Sequence, residues 1–271
     1  MTNRISRRHF FFGTLLAGVI PRGGFGSVTS LKALGYQSPN EKLNIAGIGA
    51  GGRAGGVLGA LDSENIVALA DVDWARAAEG FKRWEKAARY KDYRQMLDKE
   101  LKNIDAVTVV TPDHMHAAQA LAAMQRGKHV YVEKPLTRTA WEARLLADAA
   151  ARYKVATQMG NQGYSHEATR VAAEIIWSGE IGDITEVHSF RGRAGWPQGM
   201  QTLPATEKVP DTLDWDLWLG GAAFRPYTSG DEAYRKEYNQ EQYGFYLPFN
   251  WRGFHDFGTS LIGDWGIHQL G

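Results

Sequence analysis

From Leu43 to Met159 the chain alternates short apolar runs with longer stretches of helical period, and this rhythm predicts strand–helix–strand units. Strands are expected at Leu43–Ala46, Ile66–Ala70, Ala106–Val110, His129–Val132 and Val155–Met159. Helices are expected at Ala54–Leu61, from Trp74, around Tyr93–Leu101, and at His114–Arg126 and Arg138–Tyr153, with Asp73 capping the second of them. Strands separated by helices of this length build a parallel, doubly wound sheet, and ligands lie outside the carboxyl ends of such strands. After residue 159 the rhythm weakens. Glu167–Trp177 reads as a helix, Ile184–Arg191 alternates as a strand, and Gly192–Asn250 is loop-like, rich in Gly, Pro, Trp and Tyr, with one short helix near Trp215–Leu219.

The first strand runs into Gly47-Ile48-Gly49-Ala50-Gly51-Gly52, with Arg53 beside it. In this context the glycines fit a phosphate loop: Gly47 for the tight turn, Gly49 for close approach of backbone to pyrophosphate, Gly52 for helix–strand packing, with Gly51 between them. A lone glycine fingerprint is weak. Here a second strand ends in Asp71, 24 residues after Gly47, where a carboxylate accepts hydrogen bonds from adenosine ribose hydroxyls and repels a 2′-phosphate. NAD is therefore expected rather than NADP, with Arg53 the residue that could answer a 2′-phosphate. The strand ends also carry Thr111, His116 and Glu133, candidates for cofactor contact. His114 and His116 lie close together, but no third ligand is placed, so no metal is expected.

Upstream, Arg7-Arg8 precede the apolar run Phe10–Ile20 and a Gly/Ser-rich stretch. That order is expected of a bacterial twin-arginine export signal, and would place the protein in the periplasm or outside the cell. The apolar run is about half of what spans a bilayer, so no stable span is expected. Three segments result: a signal at 1–35, a Rossmann domain at 36–158 and a substrate and oligomerisation domain at 159–271.

Composition narrows the partners. Thirty-one basic residues balance 30 acidic ones, which gives no field for nucleic acid and leaves small molecules as the default. With no cysteine, thiolate nucleophiles and thiolate metal sites are excluded. Half of the nine tryptophans and eleven tyrosines fall in the last 81 residues, after residue 190, where aromatic loops suit either sugar rings or a packed core.

Taken in order, the glycine loop, Asp71-Val72-Asp73, Thr111-Pro112 with His116, Glu133-Lys134-Pro135 and Gly263-Asp264-Trp265-Gly266-Ile267-His268 resemble the Gfo/Idh/MocA oxidoreductases. The resemblance runs from residue 43 to 271 and implies a Rossmann domain followed by an α+β domain on a mostly antiparallel sheet that forms the oligomer interface, a homo-oligomer being expected for a full-length chain. It also implies Lys134, Asp264 and His268 as the catalytic group. Residues four apart share a helix face, so Asp264 and His268 can enter one cleft, with His268 as base, Lys134 on the developing alkoxide and Asp264 orienting them. Arg193, Trp196 and Arg252 are candidates for contact with substrate. Members of the family continue with further strands where this chain ends, so a truncated substrate domain is expected. The implied function is NAD-dependent hydride transfer to or from a ring carbon of a sugar or cyclic polyol. Two alternatives stay open: an NAD-dependent glycosidase working through transient oxidation and elimination, and a nucleotide-binding protein without turnover.

Overall fold

A computed structural model describes residues 41–269 apart from 191, 193, 241 and 242. The export signal and Arg193 therefore lie outside the described residues. The described residues from Asn44 onward form one compact unit.

Six parallel strands form one sheet in the order β3-β2-β1-β4-β5-β6. They are β1 (Asn44–Ile48), β2 (Asn65–Ala70), β3 (Ala88–Tyr90), β4 (Ala106–Val109), β5 (His129–Glu133) and β6 (Thr157–Gly160). The helices between them are α1 (Arg53–Gly59), α2 (Ala78–Arg83), α3 (Tyr93–Lys99), α4 (Asp113–Gln125) and α5 (Ala140–Tyr153). Ala46, Ile48, Val107, Val109, Val130 and Val132 bury the middle of the sheet against α4 and α5, which is why these strands read as nearly continuous apolar runs. Helix α5 begins at a capping box: Glu142 N–H donates to Thr139 Oγ1 at 3.2 Å, and Thr139 N–H donates back to the Glu142 carboxylate at 2.8 Å.

Asp73 does cap, but what it caps is a turn. Its Oδ1 accepts from Arg76 N–H at 3.2 Å, and α2 starts only at Ala78.

Beyond β6 come α6 (Glu167–Ser178), α7 (Trp215–Leu219) and α8 (Glu232–Tyr238). The alternating stretch expected as a strand from Ile184 forms no ladder among the described residues, and Val187 and Phe190 are exposed. Alternation marks a face for a partner strand, and none of the described segments supplies one. No antiparallel sheet forms among the described residues; the aromatic loops instead build their own core from Trp215, Trp218, Tyr234, Phe245, Trp251 and Phe257. Among the described residues no helix is long and apolar enough to cross a membrane.

Candidate active site

A cleft of about 740 Å³ runs along the carboxyl ends of the strands, from Asp71 past the glycine loop to Lys134, Asp264 and His268. The register aligns those ends, with Ile48 beside both Ala70 and Val109, and Glu133 beside Gly160.

The glycines have different duties from those the fingerprint assigned. Gly47 lies inside β1, where an added Cβ would sit 2.9 Å from Leu69 Cδ2 and 3.2 Å from Leu58 Cδ1, so it is this residue that lets α1 pack closely on the sheet. Gly49 makes the turn: its φ is 91°, and a side chain there would strike the Val110 carbonyl. Gly52 has φ 56° and lies under the Arg76 guanidinium, while a side chain at Gly51 would meet the Arg76 backbone. At Gly49, Gly51 and Gly52 the loop has no room for a side chain, which fits a pyrophosphate lying against its backbone.

Asp71 holds this cradle in shape. Its Oδ2 accepts from Ala50 N–H (2.9 Å) and Gly51 N–H (3.2 Å), and its Oδ1 from Asp73 N–H (2.9 Å). Burial pushes its pKa up, against the pull of these backbone donors. Asp71 also lines the cleft, so the residue expected to read ribose first organises the phosphate loop. Arg53 does not turn toward this end. Its Nε donates to Glu133 Oε1 at 2.9 Å, and the cation over the loop is Arg76, which follows Asp71 by five residues and lines the cleft.

At the other end Glu133 is a hub. Its Oε1 also accepts from Gln162 Nε2 at 2.6 Å, and its Oε2 from Lys134 N–H at 2.8 Å. Lys134 Nζ donates to Asp264 Oδ1 at 2.6 Å and to the Asp264 carbonyl at 2.7 Å. Arg252 Nε approaches Asp264 Oδ2 at 3.2 Å, its guanidinium stacked 4.2 Å from the Trp251 ring centroid and 4.5 Å from that of Phe249. Asp264, only 4% exposed, is therefore a carboxylate bracketed by two cations.

Asp264 and His268 do not pair as a shared α-helical face suggested. Asp264 belongs to a π-helical turn over Ile262–Gly266 and His268 to the α-helical turn that follows, which shifts the side-chain phase between them. His268 Nδ1 instead faces Asn161 Oδ1 at 3.2 Å, and Asn161 Nδ2 donates to the Ile267 carbonyl at 2.9 Å. Burial first, and then the charge of Lys134, lower the His268 pKa from its ordinary value. Both residues still line the cleft. The π turn is held down by Asp113, whose Oδ2 accepts from Thr259 N–H (3.2 Å) and Oγ1 (2.8 Å).

Three candidates have other roles. His116 is 1% exposed, with Nδ1 2.7 Å from the Pro135 carbonyl and Nε2 2.8 Å from that of Thr111, so it staples two strand-end loops from beneath and does not line the cleft. Trp196 is 6% exposed, packs on Phe249 and Gly253, and is likewise absent from the cleft wall. Thr111 lines the cleft, but its hydroxyl is committed to Gln119 Oε1 at 2.7 Å. Sequence reading gave no role to Asn161, Gln162, Arg76 or Asp113. The signal for the first two was their place directly after β6, at a strand's carboxyl end.

Residues 42–161 match the family model GFO_IDH_MocA, an oxidoreductase family with an NAD-binding Rossmann fold. Levoglucosan dehydrogenase of Pseudarthrobacter phenanthrenivorans is 33% identical over 124 residues, 46% of this chain and 30% of that protein. Inositol 2-dehydrogenase 2 of Saccharopolyspora erythraea is 29% identical over 167 residues, 60% of this chain and 48% of that one. The crystal structure of an NAD binding oxidoreductase from Klebsiella pneumoniae is 32% identical, with 52% of this chain and 40% of that one covered and a TM-score of 0.46. The chain thus matches less than half the length of each of these relatives.

Proposed function

We propose that the protein is an NAD-dependent oxidoreductase acting on a CH–OH group, and that its substrate is a sugar or cyclic polyol. The observation that carries this reading is the Lys134–Asp264 pair facing His268 at one end of a cleft whose other end is the glycine cradle. The names of the levoglucosan and inositol dehydrogenases support the substrate class.

Bound NAD supplies the hydride acceptor at nicotinamide C4. The chain's own residues supply the rest. His268, its pKa held down by burial and by Lys134, is unprotonated at neutral pH and takes the hydroxyl proton as the C–H hydride departs. The Lys134 ammonium, fixed by Asp264, donates a hydrogen bond to the oxygen as it gains negative charge. Asn161 fixes the imidazole through Nδ1, which leaves Nε2 as the atom for proton transfer. In the reverse direction His268 returns the proton. Gly49, Gly51 and Gly52 hold the pyrophosphate, and Asp71 favours NAD over NADP by its charge.

Protein made from the full reading frame and incubated with NAD and a panel of cyclic polyols, aldoses and anhydrosugars is expected to form NADH. Glycoside cleavage without net NADH favours the transient-oxidation alternative. NAD binding with neither product overturns the enzymatic reading, and tighter binding of NADPH than of NADH overturns the choice of cofactor.

Export by the twin-arginine route is the accompanying proposal, supported by Arg7-Arg8 ahead of Phe10–Ile20. Replacing both arginines by lysine is expected to keep the protein in the cytoplasmic fraction, and an unchanged distribution overturns it.

A further inference from the structure

The cleft is not walled by the nucleotide sheet alone. Just past the end of β2, the segment 212–219 is fastened alongside: Trp74 N–H donates to the Thr212 carbonyl (3.0 Å), Asp214 N–H donates to the Val72 carbonyl (2.9 Å), and Asp73 and Leu213 form an antiparallel bridge. Its far end is tied down too, because His114 Nε2 donates to the Trp218 carbonyl at 3.0 Å. Helix α7, carried by this segment, cannot swing from the sheet without breaking these bonds.

Within α7, Trp215, Trp218 and Leu219 are buried, the two tryptophans stacked in the aromatic core at 4.7 Å. Leu217 is only half-buried and faces elsewhere. It lines both the main cleft and an adjoining cavity of about 470 Å³, and shares that position with Val72, Lys91, Tyr93, Met115 and Gln119. In a doubly wound sheet with its phosphate loop after β1 and its ribose carboxylate after β2, the adenine base must lie beyond β2. The shared wall is there, and Val72, Met115 and Leu217 make it apolar, as the flat faces of a purine require.

We propose that α7 is the roof of the adenine subsite, that Leu217 contacts the base, and that this fixed roof slows release of the cofactor. The proposal rests on the NAD reading above. Removing an apolar wall while the encounter route is unchanged acts mainly on the off-rate.

The test compares wild type with Leu217→Ala in the full chain, using NADH, ADP-ribose and nicotinamide mononucleotide in calorimetry and stopped-flow displacement. The expected result is binding of NADH and ADP-ribose weaker by about tenfold or more, with correspondingly faster release, and unchanged binding of the mononucleotide, which lacks adenine. Leu217→Gln, close to leucine in volume, carries the same expectation should the alanine variant fold poorly. Unchanged ADP-ribose affinity and release in the folded variant overturn the roof alone. Wild-type protein that binds neither NADH nor ADP-ribose overturns the roof together with the NAD reading.

Discussion

The Lys134 ammonium sits 2.6 Å from Asp264 Oδ1 across a separation of 130 residues, and Arg252 holds the other carboxylate oxygen at 3.2 Å. One buried carboxylate between two cations fixes where the lysine points, a preorganisation that matters when negative charge develops on a substrate oxygen. Lys134→Met is expected to lower kcat by about 10²–10³ while leaving NADH binding within a few-fold. Steady-state rates and an NADH titration on the same preparation check both parts. A parallel collapse of NADH affinity would mean that Lys134 serves the cofactor and not the reaction.

The pH dependence follows from His268. Its lowered pKa means that the neutral base persists below the pH at which a free imidazole would be half protonated, so the acid limb of kcat/KM is expected below about 6.5. The Lys134 charge is part of the cause, and its removal makes protonation easier. An NMR titration of the His268 ring should therefore move upward in Lys134→Met relative to wild type.

His114 couples stability to pH. Its Nε2 donates to the Trp218 carbonyl, while Nδ1 is buried with no hydrogen-bond partner among the described residues, and the ring packs against Trp218 and Phe257. Burial lowers its pKa from 6.5 to about 4. The unfolded chain thus binds a proton in that interval that the folded chain refuses. Stability is fully present above 6.5 and is lost as pH falls toward about 4, by a total on the order of 3 kcal/mol. Urea midpoints across this range should show the loss, and His114→Gln should flatten it.

Gly49→Ala places a methyl against the Val110 carbonyl in a backbone conformation that disfavours a side chain. A fall in the thermal midpoint and loss of NADH binding are expected. Calorimetry with and without NADH measures both.

Trp196 and Arg252, both expected near substrate, should separate. Trp196→Ala removes a buried ring and is expected to cost about 3–5 kcal/mol of stability with KM unchanged in the folded fraction. Arg252→Met leaves that core intact and is expected to lower kcat. Denaturation curves and kinetics on both variants decide.

The nucleotide half was legible because each of its signals is local. Runs of four or five residues marked five of the six strands, and only β3, three residues long, was too short to show a pattern. The phosphate loop was equally plain, although Gly47 proved to be the close-packing glycine and Gly49 the one that makes the turn: spacing along the chain does not tell which glycine lies inside a strand. Arg53 was read as a cation for the adenosine end because it is adjacent to the loop in sequence, whereas helix α1 starts at that residue and turns it toward Glu133, 80 residues on.

By itself, the sequence determined the parallel α/β layout and the glycine loop after the first strand, since these follow from periodicity and residue type, and its motifs put forward Lys134, Asp264 and His268, which the fold brings to one cleft. Tertiary structure alone decided who partners whom. It bound Asp264 to Lys134 and Arg252 and not to His268, gave that histidine to Asn161, buried His116 and Trp196 away from the cleft, and laid Leu217 over the end of β2. These pairings join residues distant along the chain. They depend on a π turn, a strand register and an aromatic core, whose geometry no local pattern encodes.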